Sequence, residues 1–412
     1  MEPTSVVALG LPAVRKSWPE AGLDVVALQR NGFEPHAFTE FLLKIHSRCN
    51  LACDYCYIYE MADQSWREQP KAMRREVFDD ALRIIVDHVR RFGPPAVSLV
   101  FFGGEPLMAG HANLEYFASH ARAALEPTTA VTLTLQTNGV LLDDEFLTIC
   151  DDWDISITVS LDGDEHGHDR HRRDRRGAGS YSRVAAALEK LTAGDRRHLL
   201  NGLLCVIDLA NDPVQAYEGL LAFQPPAVNF EIPLGNWTTP PPGFSADPGV
   251  TPYADWLITI FDRWYGAPQL ETRIRMFENI MDLLLGGTVE SEVWGLGPTR
   301  IAVIETDGSV AQIDDLKATF SGATKLPAGQ RNPLDRAMLE PEIVARQIGV
   351  DALSDTCRAC SIHTVCGGGH YVTRYREGDG FRNPSVYCAD LTKLIRHIES
   401  RMRADAATAL HG

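Results

Sequence analysis

Three cysteines, Cys49, Cys53 and Cys56, fall within the stretch SRCNLACDYCYIYE, spaced C-x3-C-x2-C. Thiolates this close bind zinc or an iron–sulfur cluster, and sulfur ligation alone does not separate the two. A structural zinc ion is normally closed by four ligands. This triplet has no fourth cysteine nearby, and its loop is too compact to reach a distant one easily. Three ligands suit a cubane cluster with one iron left open, and an open iron can bind a small molecule through an amine and a carboxylate. A second group, Cys357, Cys360, Cys366 and Cys388, lies near the C-terminus and taken alone suits zinc almost as well as iron. The other two of the nine cysteines, Cys150 and Cys205, read as small buried hydrophobes, Cys205 within the apolar run GLLCVI.

The elements that must position these thiols alternate along the chain. FLLKIH precedes the first cysteines, and RREVFDDALRIIVDHVRRF has helical periodicity. AVSLVFFGG reads as a buried strand, ANLEYFASHARAAL as a helix and AVTLTLQTNG as the next strand. The strands DISITVSLDG, LLNGLLCVI and AVNFEIPL follow, with helical segments between them. Six strands alternating with helices imply parallel β/α units that close, or partly close, into a barrel. Working residues of such barrels sit just past strand C-termini. There the chain places the cysteine loop, Gly103-Gly104-Glu105, Thr137-Asn138-Gly139 and Ser160-Leu161-Asp162-Gly163. Four such motifs at successive strand ends describe one shared mouth. The Pro/Gly-rich stretch TTPPPGFSADPGVTP marks a boundary. Beyond it come two helical segments, a hairpin around Asp307-Gly308, the late cysteines and a final helix ADLTKLIRHIESRMRADAA.

The chain has 412 residues, 45% hydrophobic, and a net charge of −16. Indiscriminate phosphate or nucleic-acid binding normally needs a basic face, so it is not expected. Nothing near the N-terminus reads as a signal peptide or membrane span. The expectation is a cytoplasmic protein, without nucleic-acid or membrane partners, where disulfides rarely persist. The run DRHRRDRRG reads as a solvated charged loop or an RNA-binding patch; only Arg172 within it and Arg183 beyond it carry a sharper claim.

C-x3-C-x2-C with Tyr55 before the third cysteine resembles the signature of the radical S-adenosylmethionine (SAM) superfamily. That resemblance implies an α/β fold, a partial (β/α)6 barrel over residues 38–236, and a [4Fe-4S] cluster on Cys49, Cys53 and Cys56. It also implies that Gly103, Gly104 and Glu105 meet the amino group of SAM, that Ser160 and Asp162 contact its ribose, and that Tyr55 lies near its adenine. Asn138 joins the same set. SLDGDEHGHDRHR resembles the S-x-D-G…H-D-x-x-R run of the peptide-modifying branch, making Arg172 the candidate for the SAM carboxylate and Arg183 its rival. The late cysteines resemble the second half of a SPASM extension, expected over residues 300–412 behind a linker and helical bridge at 237–299. Where the full pattern has a further cysteine the chain has His370, and the upstream pair is missing from SVAQID. One auxiliary [4Fe-4S] cluster on Cys357, Cys360, Cys366 and Cys388 is therefore implied, with His370 read as an ordinary structural histidine. Residues 1–37 stay unassigned.

Three longer blocks, HSRCNLACDYCYIYEMADQSW, DGSVAQIDDLK and CGGGHYVTRYREGDGFRNPSVYCADL, resemble the FxsB-type maturases, which form cyclophanes on ribosomally made peptides. This implies a precursor-peptide substrate and an electron donor such as a flavodoxin or ferredoxin. It further implies a 5′-deoxyadenosyl radical that takes a β-hydrogen from the peptide. The carbon radical then attacks an aromatic ring two residues away, and the ring loses a proton and an electron. The sequence does not identify the base. Competing readings are a formylglycine-forming anaerobic sulfatase maturase, a thioether-forming or epimerising enzyme, and a metal-bearing module that binds peptides without chemistry.

Overall fold

The computed structural model describes residues 19, 23–327 and 332–411. Most of the unassigned segment, residues 1–18 and 20–22, lies outside them. Among the described residues nine strands form one sheet: β1 (Glu40–His46), β2 (Ala96–Gly103), β3 (Ala130–Thr137), β4 (Ile155–Ser160), β5 (Leu200–Val206), β6 (Ala227–Glu231), β7 (Arg273–Ile274), β8 (Ile301–Ile304) and β9 (Val310–Ala311). The spatial order is β7-β6-β5-β4-β3-β2-β1-β8-β9. Every pairing is parallel except the β8–β9 hairpin. The first six strands alternate with helices, as the sequence pattern predicts for (β/α)6.

β1 and β2 are buried almost end to end, as parallel strands covered on both faces must be. β4 alternates strictly. Ile155, Ile157 and Val159 pack into the main core, while the opposite face carries Ser156 and Thr158. Ser156 and Thr134 of β3 share a hydroxyl hydrogen bond at 3.1 Å, so this face is polar.

The segment expected as a separate C-terminal unit is joined to the barrel. β8 runs parallel to β1, Glu40 opposite Ile301 and Leu43 opposite Ile304. That pairing satisfies backbone groups that β1 would otherwise leave open at a sheet edge. Buried charges fasten the hairpin from beneath. Lys44 Nζ of β1 donates to Glu305 at 2.7 Å and to Asp314 at 2.6 Å, and Lys317 stands 3.6 Å from Asp314. Such an ion cluster is costly to desolvate, and losing one member strands the others. The Pro/Gly-rich stretch is also pinned: Trp237 N donates to Tyr375 O at 3.0 Å, and Trp237 Nε1 to Pro384 O at 2.7 Å. One hydrophobic core runs from the barrel helices through Trp256, Phe261 and Phe277 to Leu391, Leu394, Ile395 and Ile398 of the last helix, Cys388–His411.

Candidate active site

The loop after β1 is held rigidly before any ligand is considered. Arg48 Nη1 donates to Trp66 O at 2.9 Å, and Tyr59 Oη donates to Ser47 O at 3.1 Å. The Tyr59 and Trp66 rings meet edge to face at 4.9 Å. The end of β2 is sewn to this loop, since Gly104 N donates to His46 O and Glu105 N to Arg48 O at 2.9 and 3.0 Å. The approach is so close that a Cβ on Gly103 would lie 2.1 Å from His46 O. One on Gly104 would lie 1.8 Å from Tyr59 Oη and 2.6 Å from the Arg48 carbonyl.

The Glu105 side chain turns inward. Its carboxylate accepts from Leu107 N at 3.1 Å, Thr137 Oγ1 at 2.7 Å and Asn138 N at 2.8 Å, bracketing the ends of β2 and β3 together. Asn138 then reaches the cysteine loop, donating from Nδ2 to Asn50 Oδ1 at 2.8 Å and to Cys49 Sγ at 3.6 Å. Leu51 N also donates to Cys49 Sγ, at 3.4 Å.

Asp162, just past β4, is buried and committed within the protein. It accepts from Tyr55 Oη, from Arg172 Nε at 2.8 Å and from Val206 N at 3.0 Å. The Arg172 guanidinium holds its carboxyl below the ordinary range against the opposing effect of burial. Arg172 lies over the Tyr55 ring at 5.5 Å, and its two terminal nitrogens have no hydrogen-bond partner among the described residues. The HD part of the motif sets this up. His168 Nδ1 accepts from Asp162 N at 3.3 Å, and its Nε2 meets Ser180 Oγ at 2.9 Å. Asp169 accepts from the Ser180 and Tyr181 amides at 2.8 Å, which anchors the start of the next helix.

The structure thus gathers Cys49, Cys53, Cys56, Tyr55, Gly103, Gly104, Glu105, Asn138, Asp162 and Arg172 at one mouth, with half-buried Ser160 closing β4. Arg183 stays outside: it is exposed and faces Asp174 at 3.9 Å. Sequence reasoning assigned no role to Glu231, or to Asp315 although it lies within the block DGSVAQIDDLK.

Burial pushes the thiols of Cys49 up to about 12 and of Cys53 up to about 11. The bare protein would keep them protonated, so this pocket suits a group that takes their negative charge as its own. The Leu51 and Asn138 donors at Cys49 fit a sulfur ligand. The four late cysteines also come together: the thiol of Cys366 feels Cys388 and Cys357, and that of Cys388 feels Cys357 and Cys360. Among the described residues no three His, Cys, Asp or Glu converge on one ion. A cubane spreads its cysteines over separate iron corners and does not require them to converge. His370 takes no part in the group; its Nε2 lies 3.2 Å from Asp315 Oδ2. Cys150 and Cys205 are buried, as expected.

Residues 43–209 match the radical SAM superfamily, and the chain is an enzyme with SAM and iron–sulfur as its cofactors. Its relatives include the cysteine-type anaerobic sulfatase-maturating enzyme of Clostridium perfringens (strain ATCC 13124), 25% identical over 377 residues spanning 86% of this chain and 95% of that protein. The serine-type enzyme of Bacteroides thetaiotaomicron is 24% identical over 381 residues, 86% of this chain and 87% of that one. Among solved structures, native anSMEcpe with bound AdoMet superposes with a TM-score of 0.73 at 22% identity, covering 89% of this chain and 99% of that one. Streptococcus suis SuiB bound to precursor peptide SuiA gives 0.58 at 15% identity, covering 88% and 78%. Both share the fold. No helix among the described residues is long and apolar enough to cross a membrane.

Proposed function

We propose that this chain modifies a ribosomally made precursor peptide, joining the β-carbon of one residue to a nearby aromatic ring in a three-residue cyclophane. Cys49, Cys53 and Cys56 hold the SAM-binding [4Fe-4S] cluster, and Cys357, Cys360, Cys366 and Cys388 hold an auxiliary one. Bound there, SAM and its cluster would supply a 5′-deoxyadenosyl radical. The chain's own residues bind and orient. The two partnerless nitrogens of Arg172 suit the SAM carboxylate, and Asp162 serves by fixing that guanidinium and Tyr55. Arg183, turned to Asp174, is the weaker candidate. Ser160 remains the candidate for the ribose, and the Gly103–Glu105 backbone for the amino group.

The observation that carries the crosslinking reading is the asymmetry of the late site. Charge interactions link the four late cysteines while His370 lies beside Asp315, which supports one auxiliary cluster over two. Formylglycine formation is the second reading, favoured by the long alignment with anaerobic sulfatase-maturating enzymes. One incubation decides between them. Anaerobically reconstituted protein, SAM and a low-potential donor such as flavodoxin or ferredoxin are mixed with the peptide encoded by a short reading frame beside the gene. Loss of two hydrogens with a carbon–carbon link on fragmentation is expected. A formylglycine mass, or an unchanged mass with inverted stereochemistry, would replace this reading with another.

A further inference from the structure

Closing a cyclophane requires more than a radical. Attack of the β-carbon radical on the ring makes the new C–C bond and leaves a cyclohexadienyl radical still carrying the ring hydrogen. Regaining aromaticity breaks that C–H bond. The electron leaves to an oxidised [4Fe-4S] acceptor, which is reduced by one electron, and the proton leaves to a base. None of the residues assigned above to SAM or the clusters is that base.

Two consecutive aspartates follow β9, on the short 3-10 helix Asp314–Ala318. Asp314 is held through one oxygen by Lys44 at 2.6 Å, with Lys317 3.6 Å away. Asp315 is turned elsewhere. Its Oδ2 meets His370 Nε2 at 3.2 Å, and 30% of its side chain remains accessible. Its charge reaches Tyr57, the residue after the third cluster cysteine, and Glu231, the last residue of β6. Tyr57 adjoins Cys56 and Glu231 ends β6, so the Asp315 charge acts on two segments at strand C-termini. On its other side stand Glu292 and Arg346, paired at 3.0 Å.

We infer that Asp315 is the catalytic base that takes the ring proton, and that His370 is the positioning residue that holds its carboxylate toward the mouth. This rests on the crosslinking reading. Burial, and next the neighbouring Asp314 charge, raise the Asp315 carboxyl to about 7, so it can take a proton near neutrality. Burial lowers His370 to about 4, which leaves a neutral imidazole able to donate from Nε2. His370 is four residues past Cys366, so the acceptor of the proton and the acceptor of the electron are set by one short segment. Glu231 is the rival carboxylate, also raised to about 7 by burial. It accepts from Asn229 and has no imidazole partner among the described residues.

The test uses reconstituted full-length chain, SAM, reductant and the peptide of the adjacent reading frame, synthesised with deuterium on the β-carbon or on the aromatic ring. Asp315→Asn should retain its iron and still pass β-deuterium to 5′-deoxyadenosine, while crosslink yield falls at least tenfold. The residual crosslinking should acquire a primary isotope effect with the ring-deuterated peptide, absent in the wild type. Asp315→Glu should recover part of the yield, and His370→Gln should fall between. Wild-type yield without an isotope effect in Asp315→Asn would overturn the inference. So would joint loss of iron and 5′-deoxyadenosine, which marks a structural role, or the same uncoupling produced by Glu231→Gln alone. A wild-type chain that gives no product lighter by two hydrogens refutes the crosslinking reading itself, a separate outcome.

Discussion

At the scale of single residues, the mouth depends on the absence of side chains as much as on their presence. Gly104 is not forced by backbone conformation; it is forced by space, because Arg48 and Tyr59 occupy the position of its Cβ. Tyr59 is braced by Trp66 and Ser47, and the Arg48 carbonyl is main chain, so neither yields cheaply. Gly104→Ala should therefore cost about 1–3 kcal/mol as overpacking and push the cysteine loop away from β2. Iron and acid-labile sulfide per chain are expected to fall severalfold. Gly93→Ala is the control: its φ of 61° makes alanine strained, but nothing lies within 4 Å of its Cβ. It should lose about 1–2 kcal/mol and keep its iron. Full iron content in Gly104→Ala would mean that the loop can retreat without losing its cluster.

At the scale of elements, the turn after β4 is organised by a histidine that must stay neutral. Burial lowers His168 to about 4, aided by the Arg172 charge, while its two nitrogens serve Asp162 N and Ser180 Oγ. In the unfolded chain this residue protonates near 6.5, so between about 6.5 and 4 the unfolded state binds more protons. Stability from His168 is complete above that window and is lost as pH falls through it, on the order of 3 kcal/mol in all. His168→Gln removes the titration, so its thermal midpoint should fall less than that of the wild type across the same interval. Equal slopes would mean that His168 accepts its proton in place. The motif H-D-x-x-R was legible in the sequence, yet no role was assigned to its first two members, His168 and Asp169. Their contribution is to the placement of Asp162 and Arg172, through partners met only in the folded chain. The strands were readable because apolar runs and glycine-rich ends recur in register with the motifs. The parallel pairing of β8 with β1 was not, since IAVI carries no mark of its neighbour. The same holds for the meetings of Lys44 with Asp314 and of Asp315 with His370, which join residues far apart in the chain.

At the scale of the whole molecule, the barrel and the late cysteines share one core, so the second cluster site can be damaged without dismantling the first. Cys388 is the proposed ligand best suited to show this. It is exposed and begins the last helix, whose Leu391, Leu394, Ile395 and Ile398 stay anchored in the main core. The helix N-terminus also favours the negative charge of a thiolate-bound cluster. Cys357 is buried, and its loss would disturb packing as well as ligation. Cys388→Ala should therefore keep its fold and lose about half its iron, since each [4Fe-4S] cluster carries an equal share. SAM cleavage to 5′-deoxyadenosine, proposed to depend on Cys49, Cys53 and Cys56, should persist, and under the proposed reaction crosslinked peptide should fall at least tenfold for want of an electron acceptor. Iron assay, nucleoside quantitation and peptide mass read the three quantities from one preparation. Full crosslink yield at half the iron would remove the auxiliary cluster from the reaction and require the ring's electron to return to the SAM site.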